Sequence, residues 1–167
     1  MSVLNPLEPF RRPTKSGAWR HLNAGRLLGN ALARFEARVL DLMVQAGHDQ
    51  TRPPHIHLTR HLDIDGTRIT LLAQRARMTN AAMTELIDQC EALGLVVRQP
   101  DPQDRRARVV QFTEAGRQWL SAFGRALRKA ERELVQEIGE GPAATLFDAL
   151  ERYGGTVDSL GGQGSFR

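Results

Sequence analysis

The sequence predicts a mainly α fold interrupted by one small β-hairpin. Apolar residues recur at three- and four-residue steps through most of the chain, the period of an amphipathic helix. Only two segments, Leu95–Arg98 and Arg108–Phe112, are rich in strand-forming residues, and they flank a loop of Pro, Asp and Arg. Just before them lie two short helical stretches separated by a tight turn at Arg77-Met78.

Each element follows from local chemistry. Residues 1–18 hold Pro6, Pro9, Pro13 and Gly17 with Arg11, Arg12 and Lys15, and read as an irregular basic arm. From about Trp19 to Ala46 a helix is expected, because Leu28, Leu32, Phe35, Val39, Leu42, Met43 and Ala46 make one stripe; Gly47 stops it. Arg52-Pro53-Pro54 interrupts the chain, and a short helix from about Pro54 to Leu62 is expected after it. Asp63–Thr67 is then a turn, and Arg68–Thr70 a very short strand. Helical character resumes over Leu71–Ala76. Thr79 is a good cap for a helix over 79–93, whose apolar face is Met83, Leu86, Ile87, Cys90 and Leu93 and which Gly94 ends. The two-stranded hairpin follows. Thr113 caps a long helix with a stripe of Leu120, Phe123, Leu127, Ala130, Leu134 and Ile138. After Gly141, Pro142 suits the first turn of a last helix with Leu146, Leu150, Tyr153, Val157 and Leu160 on one face. Residues 161–167 read as a frayed tail.

Composition narrows the function classes. With 167 residues, 41% hydrophobic and 25% charged, the chain is expected to form one domain with a real core. No apolar run approaches the roughly 20 residues needed to span a bilayer, and the N-terminus lacks the apolar segment of a signal peptide. A cytoplasmic location with no membrane partner is therefore expected. The single cysteine excludes an internal disulfide framework and a Cys-only zinc site. The net charge of +4, mostly from arginine, suits a polyanionic partner. There is no glycine-rich phosphate loop, no G-x-S-x-G and no convincing carboxylate pair, so no enzyme activity and no cofactor are expected.

The stretch "LIDQCEALGLVVRQPDPQDRRARVVQFTEAGR" resembles the signature of the MarR (multiple antibiotic resistance regulator) family of winged helix-turn-helix repressors. Glu91, Gly94, Leu95, Val96, Arg98, Asp101, Pro102, Asp104, Arg106, Thr113 and Gly116 match its pattern, and Phe112 stands where the family usually has leucine. The resemblance covers about Leu71 to Leu120, and helix order extends it to Trp19–Leu160; residues 1–18 have no counterpart. It implies a single domain over 19–160, with a DNA-binding lobe at about 54–113 and dimerisation helices at about 19–46 and 114–160. It also implies a homodimer on a palindromic duplex operator, a repressor released by a small-molecule effector.

The residues themselves fit that chemistry. A major groove admits one helix. Opposite the apolar face of the 79–93 helix lie Thr79, Asn80, Ala81 and Thr84, short enough to approach base edges or phosphates. Arg105 and Arg106 at the hairpin tip can reach the adjacent minor groove, where negative potential attracts arginine. Arg98 is expected on a phosphate. Asp104, like its family counterpart, is expected to pair with Arg106 or Arg108 and fix the loop. Glu85 departs from the family, where arginine is frequent, and its expected relief is a pair with Arg77 or another basic residue, or a bond from cytosine N4. Cys90 sits on the apolar face and reads as core rather than as a redox sensor. His55, His57 and His61 lack the companions of a zinc site and read either as surface residues or as the lining of an effector pocket for an aromatic carboxylate. The alternative function is a winged-helix protein–protein module without sequence-specific DNA binding.

Overall fold

The computed structural model describes residues 23–104 and 106–154. The N-terminal arm, residues 155–167 and Arg105 lie outside that range, together with the expectations placed on them. The chain divides into two compact units, Met1–Ala37 and Arg38–Arg167. In the first, the described residues form the start of helix α1 (Ala24–Gln45). Asn23 opens it, its side-chain Oδ1 accepting from the Arg26 N–H at 3.0 Å and its carbonyl from the Leu27 N–H. Leu27, Leu28 and Leu32 are exposed on this segment.

The second unit begins with the end of α1, where Val39, Leu42 and Met43 are buried. It continues with α2 (Pro53–His61), β1 (Thr67–Arg68), α3 (Ile69–Arg75), α4 (Asn80–Ala92), β2 (Val96–Pro100), β3 (Arg108–Phe112), α5 (Glu114–Ile138) and α6 (Glu140–Gly154). The fold is mainly α, as expected, but the sheet has three strands rather than two. Its order is β1-β3-β2, all antiparallel. Two residues suffice for β1, because they pair with the free edge of β3 through Thr67↔Val110 and Arg68↔Val109. The expected strand over 68–70 is cut short because Ile69 already starts α3. The hairpin register runs from Val96↔Phe112 to Pro100↔Arg108. No helix among the described residues is long and apolar enough to cross a membrane.

The core of this unit is apolar and continuous. Ile56 and Leu58 from α2, Leu72 from α3, and Met83, Leu86, Ile87 and Cys90 from α4 are buried with Val96, Val110 and Phe112 of the sheet. Cys90 is fully buried, and burial pushes its thiol up to about 12, which suits packing rather than sensing.

Three helices end in the same hydrogen-bonded turn. The N–H groups of Gly47 and His48 bond to Val44 and Met43, those of Gly94 and Leu95 to Glu91 and Cys90, and those of Arg77 and Met78 to Gln74 and Ala73. This Schellman arrangement demands a left-handed residue at its centre. Two sites have glycine, but the turn between α3 and α4 has Arg77 at φ 53°. A non-glycine residue there costs about 1 kcal/mol.

The long α5 helix buries one set of residues and leaves its leucine stripe half-covered. Its buried residues are Gly116, Trp119, Ala122, Ala126 and Ala130, while Leu120, Phe123, Leu127 and Leu134 are half-buried and Ile138 exposed. Small residues let neighbouring backbone approach closely, so the alanine seam packs inward although the leucine stripe is more hydrophobic. Trp119 is fixed there by its Nε1–H, which donates to Thr51 Oγ1 at 2.9 Å in a buried bond. Arg38 of α1 and Glu133 of α5 form a two-pronged ion pair at 2.6 and 2.9 Å. That pair lowers the Glu133 pKa and raises that of Arg38. On α6, Leu146, Phe147, Leu150 and Tyr153 are exposed.

Candidate nucleic-acid interface

The start of α4 is built as the sequence predicts. Thr79 is its N-cap, with the hydroxyl accepting from the Ala82 N–H at 3.1 Å. Burial of Met83, Leu86, Ile87 and Cys90 fixes the rotation of the helix. Thr79, Asn80, Ala81 and Thr84 are thereby all exposed. The Asn80 side chain has no hydrogen-bond partner among the described residues, so both its donor and its acceptor face solvent. Glu85 is exposed too, and no pair with Arg77 forms.

Arg98 departs from its expected role on a phosphate. Its guanidinium is half-buried and pairs with Glu91 and Asp88 of α4, while its Nη2–H also donates to the Thr84 carbonyl at 3.0 Å. Its backbone N–H donates to Glu91 Oε1 at 2.7 Å. The turn at Gly94 folds β2 back along α4, which brings these groups together. Arg98 therefore joins α4 to the first strand of the hairpin.

The wing has an anchor that the sequence did not reveal. Asp101 is only 6% exposed, and its Oδ2 pairs with Arg68 Nε at the junction of β1 and α3. Its Oδ1 accepts from the Gln103 N–H at 2.7 Å, an Asx turn into the loop. Its own N–H bonds to the Ala107 carbonyl at 3.1 Å. Bonds from the Gln103 N–H first, then from Arg68, hold the Asp101 carboxyl below the usual range. Asp104 does fix the loop, but through backbone rather than through an arginine side chain. Its Oδ1 accepts from the Arg106 N–H at 3.0 Å and its carbonyl from the Ala107 N–H at 2.9 Å. This leaves the Arg106 side chain exposed, with no ion-pair partner among the described residues. The Asp-Pro pair at 101–102 was the available signal for this anchor, since aspartate before a turn commonly bonds backbone two residues on.

The three histidines part company. His55 is buried, and its Nδ1 accepts from the Arg52 N–H at 3.2 Å, closing the first turn of α2. Burial first, then the Arg52 charge, lowers its pKa. His57 and His61 meet edge to face with ring centroids 5.2 Å apart. Burial first, then the charges of His57, Arg60 and Arg75, lowers the pKa of His61. None of the three lines the open cleft of about 250 Å³ bounded by residues 47–51, Leu93, Leu95 and Trp119. Among the described residues no group of three or more His, Cys, Asp or Glu is placed to hold a metal ion.

Comparison with known proteins bears on this geometry directly. Residues 56–107 match the model of the MarR family, a span that holds most of α2, then β1, α3, α4, β2 and the wing loop. The transcriptional regulator HosA of Escherichia coli O111:H- is 34% identical over 74 residues, 44% of this chain and 55% of HosA. The chain spans little more than half the length of the curated relatives it matches. The repressor CouR bound to a 23-mer DNA duplex superposes with a TM-score of 0.65 at 22% identity, over 86% of this chain and 99% of CouR. CouR from Rhodococcus jostii RHA1 with p-coumaroyl-CoA gives 0.61 at 23% identity, over 77% and 90%. The reduced form of MarR from E. coli gives 0.68 at 20% identity, over 79% and 96%. At these identities the structural likeness establishes the fold. Residues 56–107 are thus similar to the MarR family, and the fold is shared with solved MarR-family proteins.

Proposed function

We propose that the protein is a dimeric, ligand-responsive DNA-binding transcriptional regulator, a repressor acting on a palindromic operator. The observation that carries this reading is the pairing of an exposed polar helix start (Thr79, Asn80, Ala81, Thr84) with a wing anchored so that Arg106 points free. In this reading α4 enters the major groove and the tip, Arg105 and Arg106, enters the adjacent minor groove. Arg98 and Asp101 position these elements rather than touch DNA. The exposed apolar residues of α6 and the half-covered leucines of α5 support a second copy as the partner. Two-fold symmetry then matches half-sites about one turn apart.

Release by a small effector, an aromatic carboxylate, completes the proposal. His57 and His61, half-exposed and edge to face, remain its proposed contacts. His55 is taken by its cap. An effector shifts operator affinity only as far as it binds the two states differently, typically ~5–150-fold. CouR, a fold relative, is known both on DNA and with a bound acyl-CoA.

The test is a titration with duplex DNA from upstream of its own gene, at two salt concentrations, with wild type and Arg106→Ala. Tight binding that falls with salt and collapses in the variant is expected. Glu85, an exposed carboxylate on α4, favours a second reading as a protein–protein module. A folded dimer that binds no duplex at low salt would select that reading instead.

A further inference from the structure

The turn between α3 and α4 holds an anomaly with two internal controls. The same Schellman turn ends α1, α3 and α4, and its left-handed position is Gly47, Arg77 and Gly94 respectively. Nothing lies within 4 Å of a Cβ built at Gly47 or Gly94. Glycine is there for its backbone freedom, not for space. The hydrogen bonds of Arg77 and Met78 to Gln74 and Ala73 hold the third turn in the same conformation, so Arg77 adopts φ 53° against its own preference. Disfavoured backbone of this kind concentrates at functional sites.

Among the described residues no polar group rewards this arginine. Arg77 is exposed, and its guanidinium has no hydrogen-bond or ion-pair partner among the described residues. The arginines around it are engaged: Arg75 with Asp63 and the His61 carbonyl, Arg68 with Asp101, Arg98 with Asp88 and Glu91. Arg77 stands two residues before Thr79, the cap of the helix assigned to the groove. A residue that the backbone disfavours, whose guanidinium has no polar partner among the described residues, and that sits beside the docking helix is best explained by something that docks.

We propose that Arg77 is a phosphate-binding residue of the DNA interface, its guanidinium engaging a backbone phosphate beside the groove that α4 enters. The proposal rests on the reading of α4 as the recognition helix. A planar, permanently charged fork suits phosphate oxygens. Such a contact fixes the register of the helix on the duplex and reads no base.

The test compares the full chain with R77G, R77K and R106A. Each is followed by thermal unfolding and by titration, across a salt series, with two duplexes: one recovered by the wild type from a random-sequence pool, and one of mixed sequence. R77G is expected to unfold at higher temperature than wild type yet bind both duplexes roughly tenfold more weakly. Its slope of log affinity against log salt should be shallower by about one. R77K should keep that slope. A more stable R77G that binds as tightly as wild type would overturn the proposal, because a purely local role predicts that result. A loss confined to the selected duplex with the slope unchanged would overturn it too, marking a base contact. If R106A weakens binding and R77G does not, the reading of α4 stands and this proposal alone falls. If the wild type recovers no duplex, the reading of α4 fails and takes the proposal with it.

Discussion

Replacing Gly116 by alanine should unfold the protein more easily, although the same change elsewhere in a helix stabilises it. Gly116 sits in the first turn of α5, where its N–H donates to the capping hydroxyl of Thr113 at 2.9 Å. A Cβ built there falls 1.9 Å from the Leu95 carbonyl oxygen, 2.9 Å from its carbon and 3.2 Å from the Phe112 ring. The obstacle is backbone, and that backbone is committed. The Leu95 oxygen accepts from the Thr113 N–H at 3.0 Å, and the Leu95 N–H closes the turn that ends α4. Making room costs about 2–3 kcal/mol of packing strain, and the disturbed Leu95–Thr113 bond about 1 more. Helix propensity returns about 1 kcal/mol. The expected net loss is about 2–3 kcal/mol, a fall in Tm of about 6–10 °C for a chain of this length. Gly124 in the same helix is the control. Its Cβ would meet only the far end of the Arg128 side chain, at 3.4 Å, so Gly124→Ala should gain up to about 1 kcal/mol. Thermal and urea unfolding of the two variants decide the matter. A Gly116→Ala protein at or above wild-type stability would show that helix α5 does not bear on the Leu95 turn as described.

Other outcomes follow from single contacts. Neutral His55 accepts from Arg52, and burial keeps its folded pKa below the free value of about 6.5. Its stabilisation is therefore complete above about pH 6.5 and declines as pH falls from there toward the folded pKa. Tm should drop from pH 7 to pH 5, with a smaller drop in His55→Gln; equal drops in both proteins would contradict this. Cys90, with its thiol at about 12 and no exposure, should resist a thiol reagent at pH 8 until denaturant is added. Rapid labelling of the native protein would place it outside the core. Trp119→Phe removes the donor to the buried Thr51 hydroxyl and should cost about 1–2 kcal/mol in urea unfolding; a smaller loss than Phe123→Leu would weaken the case for that bond.

The helices were legible because burial follows their period. Caps at Thr79 and Thr113, breaks at Gly47 and Gly94, and the core face of α4 all stood in the sequence. Misplaced features share a cause: each depends on a neighbour distant along the chain. Thr67 and Arg68 become a strand only because β3, some forty residues on, offers an edge. Asp101 reads as an ordinary turn residue until Arg68 arrives beside it. Arg98 looked free because its sequence neighbours are apolar or neutral, while Asp88 and Glu91 reach it only through the reversal at Gly94.

The inward use of Arg98 has a consequence for how the interface works. Its guanidinium holds the carbonyl of Thr84, a residue on the exposed side of α4, and two carboxylates on the following turns of that helix, from a strand that runs out to the wing tip. At the other end of the wing, Asp101 and Arg68 tie the loop to the start of α3. Arg98 thus ties α4 to β2, and Asp101 ties the loop beyond β2 to the β1–α3 junction, so two charged links join the hairpin to the helices. Arg98→Lys tests this. Lysine keeps the charge but cannot hold three acceptors in the plane of one fork. If Arg98 positions the helix, the variant should bind duplex DNA more weakly with an unaltered salt slope, because no phosphate contact is lost. A shallower slope would instead return Arg98 to the phosphate backbone and would mean that its bonds to Asp88 and Glu91 open on binding.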